Sequence, residues 1–135
     1  MDTTKIDHRI QAHAVLIARL QLCYLFLQKD GDVDWFVLVP DRDNLVNWSD
    51  LGDADLTTLN AEIKYVSQKL TKYCQPTKTN VANLGNIVPQ FHVHVIARYS
   101  NDRAWPGPIW GTTPQREFDE GERTAFWREK FGIDL

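Results

Sequence analysis

The sequence predicts an α+β fold, an antiparallel sheet with a long helix packed on one face. Three observations predict it. Residues 22–28 (LCYLFLQ) and 35–39 (WFVLV) are β-rich runs separated by the turn cluster Lys29-Asp30-Gly31-Asp32. Residues 77–84 and 91–97 repeat that arrangement around Gly85-Asn86. Between the two pairs, Leu56, Leu59, Ile63, Val66, Leu70 and Tyr73 recur at steps of three and four, which lays one apolar stripe along a helix of about five turns.

Each element follows from local signals. Ile6, Ile10, Val15 and Leu16 suit a short helix within residues 3–20, although His8, Arg9 and His13 interrupt its stripe. The first hairpin is closed by Pro40. Asp53 is the expected N-cap of the long helix, and Asp55 complements the positive end of its dipole. That helix must end by Gln75, before Pro76. Residues 91–97 (FHVHVIA) form the cleanest strand, and the proline-containing aromatic segment 105–111 is a rigid loop. Residues 116–131 are expected to form a terminal helix that brings Phe118, Phe126, Trp127 and Phe131 to the core. The expectation is one domain over residues 1–135, with a core at about 20–111 and a helical extension at about 115–132.

Composition excludes several classes. With 135 residues, 43% hydrophobic and 11% aromatic, the chain has the material for one core without staples. Fifteen basic against 18 acidic residues, interspersed in sign, argue against a groove for long nucleic acid, whose phosphates call for a basic stripe. A small anionic ligand stays compatible. Cys23 and Cys74 are far apart and lack any CxxC spacing, which predicts buried reduced thiols. The segment MDTTKIDHRI is acidic where a signal peptide is basic, and the apolar stretch 14–27 is too short to span a bilayer. A soluble cytoplasmic protein without membrane association is the expectation.

The chemistry-bearing segment is Gln90-Phe91-His92-Val93-His94-Val95. Strand alternation sends Phe91, Val93 and Val95 to one face and Gln90, His92 and His94 to the other. Such a row is either exposed sheet surface or a site, because buried polar groups without partners cost about 1–3 kcal/mol each. Two imidazoles at this spacing suit a zinc ion, but a catalytic zinc needs a third protein ligand and an open position. Arg98 and Tyr99 stand where a carboxylate would be wanted, leaving His8, His13 or an acidic residue elsewhere to complete such a site.

Residues 83–96 (NLGNIVPQFHVHVI), followed by Trp105-Pro-Gly, resemble the signature of the histidine-triad (HIT) superfamily, H-φ-H-φ-H-φ-φ. The run WFVLVP at 35–40 is similar to that family's second strand, and the resemblance covers about residues 20–111. It implies a HIT-like antiparallel half-barrel, and a nucleotide hydrolase or nucleotidyl transferase acting at an α-phosphate. The expected substrates are dinucleoside polyphosphates or nucleoside phosphoramidates, cleaved through a nucleotidyl-histidine. In this register His92 is the nucleophile, His94 the third histidine, and Gln90 stands in place of the first. Trp35 replaces a histidine that the family often carries, and the glycine-rich phosphate loop is shortened. Asn83 and Asn86 are expected to supply polar contacts, and Gln28 or Asp30 to meet the ribose; Trp105 and Trp110 suit a base wall, a dimer interface or a loop packed on its own sheet. Backbone N–H groups near residues 87–89 add phosphoryl donors, Pro89 excepted. The scheme requires no metal or cofactor, and the resemblance implies a homodimer. The departures at Gln90 and Trp35 favour a second possibility, a nucleotide-binding sensor or interaction module without turnover.

Overall fold

The computed structural model describes residues 2–132. Five antiparallel strands, β1 (Ala14–Arg19), β2 (Cys23–Gln28), β3 (Trp35–Pro40), β4 (Lys78–Ala82) and β5 (Val93–Arg98), form an open sheet in the order β1-β2-β3-β5-β4. Helices α1 (His8–His13), α2 (Asp53–Cys74) and α3 (Glu120–Lys130) complete the α+β fold that the sequence predicts.

Helix α2 buries Leu59, Val66 and Leu70 against the sheet, the stripe expected from its periodicity. At 22 residues it is about a turn longer than the sequence suggests. Its N-cap is Gly52, without a side-chain bond, so Asp53 is not the cap. Asp53 and Asp55 instead occupy the first turn, and Asp55 is held bidentately by Arg42. The helix stops at Gln75, in the left-handed region at φ 47°, whose N–H donates to the Thr71 carbonyl.

Two further elements differ from expectation. Residues 14–19 form a strand rather than the end of a helix: paired antiparallel with β2 through an irregularity between Leu16 and Ala18, they satisfy their backbone groups on an existing edge. Helix α3 begins only at Glu120, where the Asp119 side chain caps it by accepting from the Glu122 N–H at 3.0 Å.

Both faces of the sheet are covered. One carries Leu25, Leu27, Phe36, Leu38, Val93 and Val95, packed under α2 and against Trp127 of α3. The other carries Phe26, Trp35, Val37, Val39 and Ile96, overlaid by Ile6 and Ile10 from the N-terminal segment and Ile109 from the 105–111 loop. This second layer explains why residues 35–39 are continuously apolar instead of alternating. The 105–111 loop is fixed by buried ion pairs. Arg98 donates to Asp102 at 2.8 and 3.1 Å and to the Gly107 carbonyl at 2.7 Å. Arg103 donates to Asp30 at 2.7 and 3.0 Å and to Asp32 at 2.8 Å.

No helix among the described residues is long and apolar enough to cross a membrane.

Candidate active site

Beneath that second layer lies a pocket of about 520 Å³. Its lining includes His92 and His94 beside β3 residues Trp35 and Val37. Trp110 borders it from the 105–111 loop, α1 contributes Arg9, Ile10 and His13, and residues 84–88 close the remaining side. The register places Val37 opposite His94, so Trp35, two residues back on the same face, reaches it diagonally.

The two imidazoles are held in complementary tautomers, each fixed by a partner of one hydrogen-bonding sense. His92 Nδ1 lies 2.7 Å from the Gln90 carbonyl oxygen, which accepts and cannot donate, so the ring proton sits on Nδ1. In the neutral ring the lone pair is then on Nε2. His94 receives the opposite instruction. The indole N–H of Trp35 donates to His94 Nδ1 at 2.8 Å, placing the lone pair there and the proton on Nε2. Burial, followed by the neighbouring His92, pushes the His94 pKa down to about 3, so this ring is neutral at physiological pH. The ring centroids stand 4.9 Å apart, and Trp110 meets His94 edge-on at 5.1 Å. A phosphoryl group beside both rings would meet a nucleophilic nitrogen from one and an N–H donor from the other.

The other expected site residues divide into those at the pocket and those that support it. Asn86 and Gln28 line it. Asn83 does not; its amide donates to the His92 carbonyl at 2.9 Å and so holds the backbone of that residue. Gln90 is also outside. Its side chain accepts from the Asp7 N–H at 2.7 Å and donates to the Lys5 carbonyl at 3.0 Å, tying down the N-terminal segment. The alternation that put Gln90 on the histidine face holds only within a strand, and β5 begins at Val93. Asp30 is buried in the Arg103 ion pair, away from the pocket. Trp105 faces the Arg98 guanidinium, 5.8 Å from its ring centroid, leaving Trp110 as the tryptophan that the 105–111 loop brings to the pocket.

Helix α1 adds Arg9 and Ile10 to the pocket, and brings there His13, which the sequence offers only as a candidate metal ligand. Of the polar residues that interrupt its apolar stripe, Arg9 and His13 border the pocket and His8 does not. Arg9 brings no free charge. It is bidentate to Asp7 at 2.8 and 3.0 Å, donates to the Ile87 carbonyl at 3.0 Å, and holds the Asp7 pKa down at about 2. Among the described residues, no group of three or more His, Cys, Asp or Glu side chains is arranged to hold a metal ion.

A family model described as the HIT domain matches residues 9–101. The chain belongs to the HIT family. Membership implies nucleotide binding, or hydrolase or transferase activity on nucleotides, and it fits the pair of histidines facing one pocket. Among solved structures, a histidine triad protein from Sinorhizobium meliloti is 36% identical, with a TM-score of 0.89 and coverage of 97% of this chain and 98% of that one. One from Bradyrhizobium japonicum is 35% identical, with a TM-score of 0.88 and coverage of 96% and 97%. A third, from Marinobacter aquaeolei, is 32% identical at a TM-score of 0.85, covering 90% of this chain and 89% of its own. No curated protein matches the chain.

Proposed function

We propose that this HIT protein is a nucleotide hydrolase or nucleotidyl transferase that uses His92 to cleave the α-phosphate linkage of a dinucleoside polyphosphate or another nucleoside phosphate conjugate. The supporting observation is the 2.7 Å bond from His92 Nδ1 to the Gln90 carbonyl. It fixes the tautomer with Nε2 free and stabilises the imidazolium that develops as Nε2 bonds to phosphorus. The P–X bond breaks as the Nε2–P bond forms, and the leaving group departs with the electron pair. His94 Nε2–H and backbone N–H groups of residues 87–88 stabilise charge on the phosphoryl oxygens, with Asn86 at the same rim. Water then attacks the nucleotidyl-histidine, giving its hydroxyl to phosphorus and a proton to solvent, and His92 returns neutral.

The binding-module alternative draws on Gln90, whose side chain is engaged with residues 5 and 7, and on Arg9, which Asp7 neutralises. Release of mononucleotide from diadenosine polyphosphates and an adenosine phosphoramidate separates the two. The enzyme releases product with or without chelator and loses activity in His92→Ala; a module binds nucleotide without release. The homodimer is proposed on the same family footing. The edge strand β4, with Val81 exposed on it and Leu84 and Ile87 exposed just beyond, is suited to a second copy. A monomer by light scattering at micromolar concentration would contradict it.

A further inference from the structure

Trp35 is an uncharged side chain that can only donate. Its indole N–H donates and has no acceptor function in the ring plane, so a partner nitrogen facing it must carry a lone pair. His94 Nδ1 is that partner, at 2.8 Å, with the two rings edge-to-face at 5.6 Å. Both side chains are buried, Trp35 at 7% and His94 at 8% exposure. To become imidazolium, His94 would have to place a proton on Nδ1, setting two N–H groups against each other where both side chains are buried. A ring held in this way donates a hydrogen bond from Nε2 but has no proton to give up near neutral pH.

The remaining groups do not replace it. Among the described residues lining the pocket with His94, the titratable or charged side chains are His92, just before β5, and Arg9 and His13 on α1. The neighbouring β3 residues Trp35 and Val37, and Trp110 of the loop, carry no charge. His92 is committed as nucleophile, and Arg9 is tied to Asp7 and Ile87. Gln90 is turned away, and an amide is not an acid in any case.

We propose that Trp35 is a positioning residue that sets leaving-group specificity, holding His94 as a permanent neutral donor and confining the site to leaving groups that depart as stable anions. This rests on the reading of His92 as nucleophile at phosphorus. When Nε2 displaces an aryl oxide, a carboxylate or a phosphate, the electron pair stays on an oxygen that tolerates it, and no proton is needed. When it displaces an alkylamine, the P–N bond breaks only with proton delivery to nitrogen, which a locked His94 does not supply. Of the conjugates considered above, anhydrides and aryl esters are therefore substrates and alkyl phosphoramidates are poor ones.

The test compares two adenosine 5′-monophosphate conjugates, the 4-nitrophenyl ester and a primary-amine amidate, on the full chain. The expected wild-type kcat/KM ratio favours the ester by at least about 100-fold beyond the ratio given by Trp35→His, the lower range of what a positioned general acid contributes. Histidine at position 35 can accept as well as donate, so it supports a protonated His94 and narrows the gap. Trp35→Phe, which removes the donor without offering an acceptor, narrows it less. Nitrogen-15 spectra of the wild type supply a readout independent of any variant: His94 Nδ1 stays unprotonated, and the ring does not titrate between about pH 8 and pH 5.

Ester turnover that requires His92, accompanied by equal amidate turnover, overturns the proposal and leaves the function standing. Amidate turnover that disappears in His13→Ala overturns it as well, by identifying another acid. Absence of ester turnover overturns both. A His94 ring that titrates near pH 6.5 in the wild type overturns the lock itself.

Discussion

Replacing Asp102 by alanine tests how the site is kept in shape. The Asp102 carboxylate accepts from Arg98 Nε at 2.8 Å and Nη2 at 3.1 Å, and from the backbone N–H groups of Tyr99, Ala104 and Trp105 at 3.0, 3.1 and 2.8 Å. The pair is enclosed, with side chains 2% and 4% exposed. After the substitution Arg98 keeps Asn80 and the Gly107 carbonyl, but its Nε–H and three backbone donors lose their acceptor. Removing one partner of a buried ion pair costs about 3–5 kcal/mol. With a urea m-value of about 2 kcal/mol/M, the midpoint should fall by about 1.5–2.5 M. Because the same loop carries Trp110 against His94, nucleotide affinity should fall with it. The two Arg98 hydrogen bonds, supported by the three backbone donors, hold the Asp102 pKa well below the usual carboxylate range. A depressed folded-state pKa contributes stability that is complete above the unfolded value of about 3.9 and is lost as pH falls toward the folded value. The variant should lack that acid-side loss. A midpoint shift under about 0.5 M would refute the argument that this pair organises the loop.

Other substitutions separate supporting residues from reacting ones. Gln90→Ala removes two hydrogen bonds to the N-terminal segment and leaves its own carbonyl on His92; chemical denaturation should show a loss of about 1–3 kcal/mol, with mononucleotide release retained. Abolition of turnover at unchanged stability would restore Gln90 to the chemistry. Gly31→Ala would drive a methyl group into the Arg116 and Glu117 carbonyl oxygens, backbone atoms with no rotamer to escape by. Its thermal midpoint should drop by a destabilisation of about 1–3 kcal/mol, and an unchanged midpoint would contradict that close approach.

Much of this architecture is legible in the sequence because it rests on local pattern. The β2–β3 hairpin and α2 are written in runs of β-rich residues and in a 3.6-residue stripe, and His92 and His94 stand out by type and spacing. The rest depends on contacts between distant segments. Glu62 lies on the helix stripe as a charged residue, and its burial makes sense only once its carboxylate is seen accepting from the Leu22 and Cys23 N–H groups at 2.9 Å each. Gln90 lies off the histidine face because the strand begins later than its apolar alternation implies. Asp30 was claimed by Arg103, 73 positions away, and Trp35 gained meaning from a partner 59 positions away. No window of sequence holds either pair.

In the proposed reaction the nucleotidyl group passes through His92. The measurement that tests this is the stereochemical course at an α-phosphorus made chiral by sulfur and oxygen isotopes, using a conjugate that the protein is found to turn over. Two successive in-line displacements, one by His92 Nε2 and one by water, predict net retention. Net inversion would mean a single attack by water and would contradict the nucleotidyl-histidine.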